Sequence, residues 1–110
     1  MNNGERPSLG SFEQLVLTSI LRLGEGAYGV TIHAEIEGLA GRPIKLGAAY
    51  STLDRVEDKG LVRSWLADPT QKRGGRSKRY YRLTVAGENA LKESAATSRR
   101  ILRVVDHSWG

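Results

Sequence analysis

A chain of 110 residues has room for one domain with a modest core, and few enzymes fit in that length. Hydrophobic residues make up 39%, too many for a wholly disordered chain, and the lack of cysteine excludes disulfide frameworks and zinc–thiolate sites. The net charge of +5 arises from 17 basic and 12 acidic residues, but residues 72–82, KRGGRSKRYYR, hold six of the bases and no acid, so the remainder is close to neutral.

Residues 1–10 are polar and aperiodic, and are expected to form a flexible arm rather than a signal peptide. A first helix is predicted from Ser11, a capping residue with Gln14 three positions on, to the stop at Gly24. Its apolar residues Phe12, Leu15, Val16, Leu17, Ile20, Leu21 and Leu23 run nearly all the way round. Burial on two sides is therefore expected, against the domain's own core and against a second copy of the chain.

The next helix is predicted from about Tyr28 to Leu39, with Ile32, Ile36 and Leu39 on one stripe and Gly38 and Gly41 at its end. The segment Pro43-Ile44-Lys45-Leu46 reads as a short strand. Gly47 then opens a third helix whose buried side is expected to be Tyr50, Leu53 and Val56 with Leu61, closing at Gly60. Its other face, Ala48, Ser51, Thr52 and Arg55, is small and polar. Such a face allows close approach to DNA, with hydrogen bonds to phosphates and base edges.

Leu61, Val62, Trp65 and Leu66 on one side of the basic run, and Tyr80, Tyr81 and Leu83 on the other, alternate as strands do. Gly74-Gly75 supplies the bend, which makes the run a hairpin with a long basic tip. A concentrated positive field of this kind points to a polyanion, most simply a nucleic-acid backbone. After Thr84 a long helix is predicted to the C-terminus, with Leu91, Ala95, Ser98, Leu102, Val105 and Trp109 spaced 4, 3, 4, 3 and 4. This heptad-like seam predicts a dimer.

The fold class is thus mainly α with a small β-hairpin: a winged helix-turn-helix over residues 11–84, followed by a C-terminal dimerisation helix over residues 85–110. In that layout the third helix enters the major groove and the hairpin contacts backbone or minor groove.

Residues in this order also resemble the PadR-type transcriptional regulators over about Leu15 to Leu91. The resemblance rests on Tyr28-Gly29, on Gly47-Ala48-Ala49-Tyr50-Ser51-Thr52-Leu53, on Glu57-Asp58-Lys59-Gly60-Leu61-Val62, and on Gly74-Gly75-Arg76-Ser77-Lys78-Arg79-Tyr80-Tyr81-Arg82-Leu83-Thr84 with Gly87. It implies a dimeric, ligand-responsive repressor of an inverted-repeat operator, of the compact branch with a single C-terminal helix. The implied DNA contacts are Tyr28, Lys45, Ala48, Ala49, Tyr50, Ser51, Thr52 and Arg55, with the wing residues Lys72, Arg73, Gly74, Gly75, Arg76, Lys78 and Arg79. The first and last helices would form the dimer interface, where Phe12, Leu15, Ser98, Leu102, Val105 and Trp109 would fill the contact or line a cavity for a small aromatic effector. Multidrug-responsive relatives look to carry a tryptophan near the place of Ser98, and here that position is serine.

Other patterns carry less. Gly24-Glu25-Gly26-Ala27-Tyr28-Gly29 fits GxGxxG, but in nucleotide sites that loop leaves a strand, and here it leaves a helix. A helix stop and a tight turn explain these glycines better. Asp106-His107-Ser108 are sequence neighbours and do not converge as a triad. His33 and His107 lack further ligands at metal spacing, and Glu13, Glu35 and Glu37 would meet only by tertiary accident. The expectation is a cytoplasmic DNA-binding protein with no metal, cofactor, membrane partner or catalytic activity. Its rival is a winged-helix module that docks an acidic protein surface.

Overall fold

The computed structural model describes residues 9–67 and 78–109. Helix α1 (Ser11–Leu23) is capped one residue earlier than the sequence suggested. Gly10 is the cap, because Glu13 rather than Gln14 turns back to accept the Gly10 N–H at 3.0 Å. Val16, Leu17 and Ile20 enter the core, and the buried Ser19 hydroxyl is satisfied by donating to the Leu15 carbonyl. The helix stops at Gly24, whose φ of 58° is open to glycine at little cost.

One 3-10 turn, Gly24–Gly26, leads to α2 (Gly29–Ala40). The Thr31 hydroxyl organises this junction, accepting the Tyr28 N–H at 3.0 Å and donating to the Gly26 carbonyl at 2.5 Å. Ile32 and Ile36 are buried as expected. Leu39 is instead 45% exposed, and Ile44 enters the core from the following loop.

The strand expected at residues 43–46 does not form. Pro43 has no N–H to give a ladder, and the polar groups of Ile44 are taken by α2: its N–H donates to Glu37 Oε2 at 2.9 Å, and His33 Nε2 lies 2.6 Å from its carbonyl. Lys45 then caps α3 (Leu46–Asp58), which buries Ala49, Thr52, Leu53 and Val56, positions i, i+3, i+4 and i+7 of one helical face. At its end Gly60 takes φ 78°, and the N–H groups of Gly60 and Leu61 return to the carbonyls of Glu57 and Val56 at 2.9 Å. These two bonds satisfy carbonyls that the helix end would otherwise leave open.

Strands β1 (Val62–Leu66) and β2 (Arg79–Leu83) pair antiparallel, with Val62 opposite Leu83 and Leu66 opposite Arg79. The third contributor to this sheet is the chain between α1 and α2. Tyr28 bridges to Tyr80, and the Tyr81 N–H donates to the Ala27 carbonyl at 2.9 Å. Helix α4 (Val85–Trp109) begins where the Thr84 hydroxyl accepts the Gly87 N–H at 3.0 Å and donates to the Gly60 carbonyl at 2.7 Å. Gly87 sits directly against the backbone carbonyl of Leu61. Ala90 and Leu91 complete the core, and the distal half of α4 leaves it, exposing Ile101, Leu102, Val104 and Trp109. Among the described residues no helix is long and apolar enough to cross a membrane.

Candidate nucleic-acid interface

The burial of α3 redraws the face read from sequence. Ala49 and Thr52, expected toward DNA, are only 1% and 2% exposed and point into the core; Tyr50, expected to divide between the core and DNA, is 40% exposed. Helical geometry decides this, because Ala49 and Thr52 share a stripe with Leu53 and Val56 while Tyr50 lies at its edge. Ala48, Ser51 and Arg55 are exposed as expected, and Lys45 is exposed at the cap.

Arg55 is not simply free to read a base. Its Nε donates to Glu13 Oε2 at 3.2 Å and its Nη2 to Thr52 Oγ1 at 3.1 Å. Lys59 Nζ donates to both Glu13 oxygens at 2.9 Å. Burial alone would raise the Glu13 pKa; the Lys59 ammonium, the Gly10 N–H and the Arg55 guanidinium outweigh it and hold the carboxyl below its ordinary value. One carboxylate thus fixes α1 against α3. The other two acids singled out from sequence also have separate work: Glu35 pairs with Arg22 at 2.6 Å, and Glu37 holds the loop before α3.

Exposed Asp54 and Asp58 make the distal part of α3 unfavourable to a polyanion. The surface suited to a phosphate backbone is therefore the first two turns, near Lys45, Ala48, Tyr50 and Ser51, where the helix dipole is positive. Tyr50 leans across to α2, its phenol packed against Gly29. Beside it stands Tyr28, with Lys78 Nζ 4.3 Å from the centre of its ring. The Tyr28, Tyr50 and Lys78 expectations thus converge on one surface, formed by three separate stretches of chain.

Arg79 faces the other side of the wing, donating to Ser64 Oγ at 2.9 Å, and Ser64 in turn donates to Glu57. Below it lies Tyr81, whose phenol burial pushes above its ordinary pKa. Lys72, Arg73, Gly74, Gly75 and Arg76 lie outside the described residues. Arg63, Trp65 and Arg82, to which sequence reasoning gave no site role, are set by strand alternation on the outward face with Tyr80. The signal was present: positions 63 and 65 on one strand and 80 and 82 on the other share one face once the register is known.

At the expected subunit contact, Phe12 and Leu15 pack partly against the core, and Gln14 Nε2 donates weakly to Ser98 Oγ at 3.4 Å. Val105 is half-buried, while Leu102 is exposed and Trp109 is 87% exposed. A half-open groove of about 350 Å³ lies instead along Leu21, Leu83, Leu91 and Ala95, rimmed by Glu88 and Lys92. Among the described residues no group of three or more His, Cys, Asp or Glu could hold a metal ion.

Comparison with known proteins agrees with this arrangement. A PadR-family transcription regulator of Clostridium difficile R20291 is 27% identical, with TM-score 0.75 over 92% of this chain and 100% of that one. A PadR-family regulator of Eggerthella lenta DSM 2243 is also 27% identical, with TM-score 0.69 over 87% and 81%. A PadR-like regulator of Bacillus cereus shares the fold at 21% identity, with TM-score 0.73 over 88% and 89%. No curated protein matches the chain significantly. The model of the transcriptional regulator PadR-like family matches residues 16–93, which span α1 through the first turns of α4, and the chain belongs to that family.

Proposed function

We propose that the protein is a cytoplasmic homodimeric repressor that binds an inverted-repeat operator in duplex DNA. The observation that carries this reading is the convergence of Tyr28, Tyr50 and Lys78 beside the amino-terminal turns of α3. Lys45, Ala48 and Ser51 would enter the major groove, Lys78 and the basic wing tip would hold phosphates, and Arg79 would lie at their margin. The exposed apolar residues of distal α4 support self-association, since Ile101, Leu102 and Val104 together are costly to leave in water. Two-fold symmetry sets half-sites about one helical turn, roughly 34 Å, apart. A small aromatic effector would act between the subunits, near Phe12, Leu15, Ser98 and Trp109.

Selection from a random duplex library, followed by titration of the winner and of scrambled DNA at two salt concentrations, tests this reading. An enriched inverted repeat with a preference of at least about 10³ supports it. Weak binding without an enriched motif sinks it and favours an acidic protein partner. Lys78→Ala is expected to weaken binding to all sequences and to flatten the salt slope by about one unit per protomer.

A second expectation separates affinity from stability. A Cβ at Gly29 would overlap the Tyr50 phenol, so Gly29→Ala must displace that ring. Because Tyr50 is half-exposed and can swing outward, the stability cost should stay near ~1 kcal/mol. Operator affinity should fall on the order of tenfold, as Tyr50 and Tyr28 lose their common surface. Thermal melts and operator titration read the two effects separately, and unchanged affinity would remove Tyr50 from the interface.

A further inference from the structure

The outward face of the wing sheet carries a feature that the recognition helix and wing tip do not explain. Arg63 lies directly opposite Arg82 across the two strands. Like charges in that relation are destabilising, and neither guanidinium has an ion-pair partner among the described residues. The neighbouring cross-strand pair is Trp65 and Tyr80, ring centres 6.2 Å apart and planes 22° from parallel. Tyr80 in turn meets Tyr28 at 5.3 Å.

Cations close this ladder at both ends. The Arg63 guanidinium carbon lies 5.2 Å from the Trp65 ring centre, and Lys78 Nζ lies 4.3 Å from that of Tyr28. The order is cation, ring, ring, ring, cation. Ring contacts of this kind fix the side chains of Arg63 and Lys78 without neutralising them, so their charge remains available to an anion. Arg63 and Arg82 are exposed, and Trp65 is 37% exposed.

We infer that this face is a second DNA-contacting surface, which grips the phosphate backbone of duplex flanking the operator half-site. The inference rests on the regulator reading above and names what the outer side of the wing adds to it. Two facing guanidiniums suit phosphate oxygens by charge and by bidentate geometry, and phosphates would relieve the repulsion between them. The ladder is continuous with Tyr28 and Lys78 at the start of α2, so a backbone held there can extend along the sheet toward Arg63 and Arg82. The aromatic residues act as positioning residues. The contact is blind to sequence, so it should lengthen the footprint without altering the preferred bases.

The test uses the selected operator in two lengths, one ending at the outer edge of the inverted repeat and one extended by about ten base pairs on each side. The parent protein should bind the extended duplex more tightly, on the order of tenfold at moderate salt, with a salt slope steeper by about 0.9 for each added phosphate contact. Arg63→Gln with Arg82→Gln should abolish that gain while leaving affinity for the short duplex unchanged. Equal parent affinity for both lengths, or equal losses by the variant on both, overturns the flank contact and leaves the regulator reading intact. Failure of the parent to prefer any selected duplex overturns both together.

Discussion

Gly87→Ala should destabilise the fold by roughly 3 kcal/mol, more than any other single substitution considered. A Cβ at this position runs into the backbone carbonyl of Leu61, and neither partner has a rotamer with which to escape. That carbonyl already accepts the Thr84 N–H at 3.0 Å, and the Gly87 N–H is committed to Thr84 Oγ1. Moving α4 outward would therefore break the junction where α3, β1 and α4 meet. In a domain of this size the midpoint of thermal unfolding should drop by about 15 °C at fixed protein concentration. Asn89→Ala, on the exposed side of the same helix, should change stability by under about 0.5 kcal/mol. A Gly87→Ala protein melting within a few degrees of the parent would mean that the close approach is not maintained in solution.

Glu13→Gln should cost about 2 kcal/mol at neutral pH, with a characteristic loss of pH dependence. The substitution leaves the Arg55 and Lys59 cations without the carboxylate that joins them. Because both cations reach solvent, the cost is less than for a fully enclosed pair. The sign follows from the lowered folded-state pKa. The stabilisation is complete above the ordinary carboxylate value of 4.5 and disappears as pH falls below it and through the lowered folded value. Parent and variant should therefore differ in denaturant midpoint at pH 7 and converge toward pH 3. A constant difference across that range would assign the effect to packing rather than to charge.

The elements with local chemical signals were legible in the sequence. Helix stops at Gly24, Gly41 and Gly60 coincide with positive φ angles, and the alternation around the basic run gives β1 and β2. Polarity misled where periodicity would have served. Thr52 reads as a hydroxyl for DNA, but its spacing from Ala49 and Val56 places it inside. The third piece of the sheet, Ala27–Tyr28, is too short to show alternation, whereas Pro43–Leu46 looks extended but spends its backbone bonds on α2 side chains. The joining of Glu13 to Arg55 and Lys59 had no local signal, since those cations lie 42 and 46 positions away. At the candidate interface, residue types announced the partner's charge, and only the register revealed which cations stand together.

The bonds from Ala27 and Tyr28 to β2 have a mechanical meaning. They weld the base of the wing to the entry of α2, so the surfaces around Tyr28, Tyr50 and Lys78 form one stiff template rather than two hinged arms. For a regulator acting on duplex DNA, a stiff template leaves the adjustment of groove width and bend to the nucleic acid. Base steps that no side chain touches then contribute to selection through how cheaply they deform. A DNA-binding regulator built in this way would measure the pliancy of its site as well as its letters.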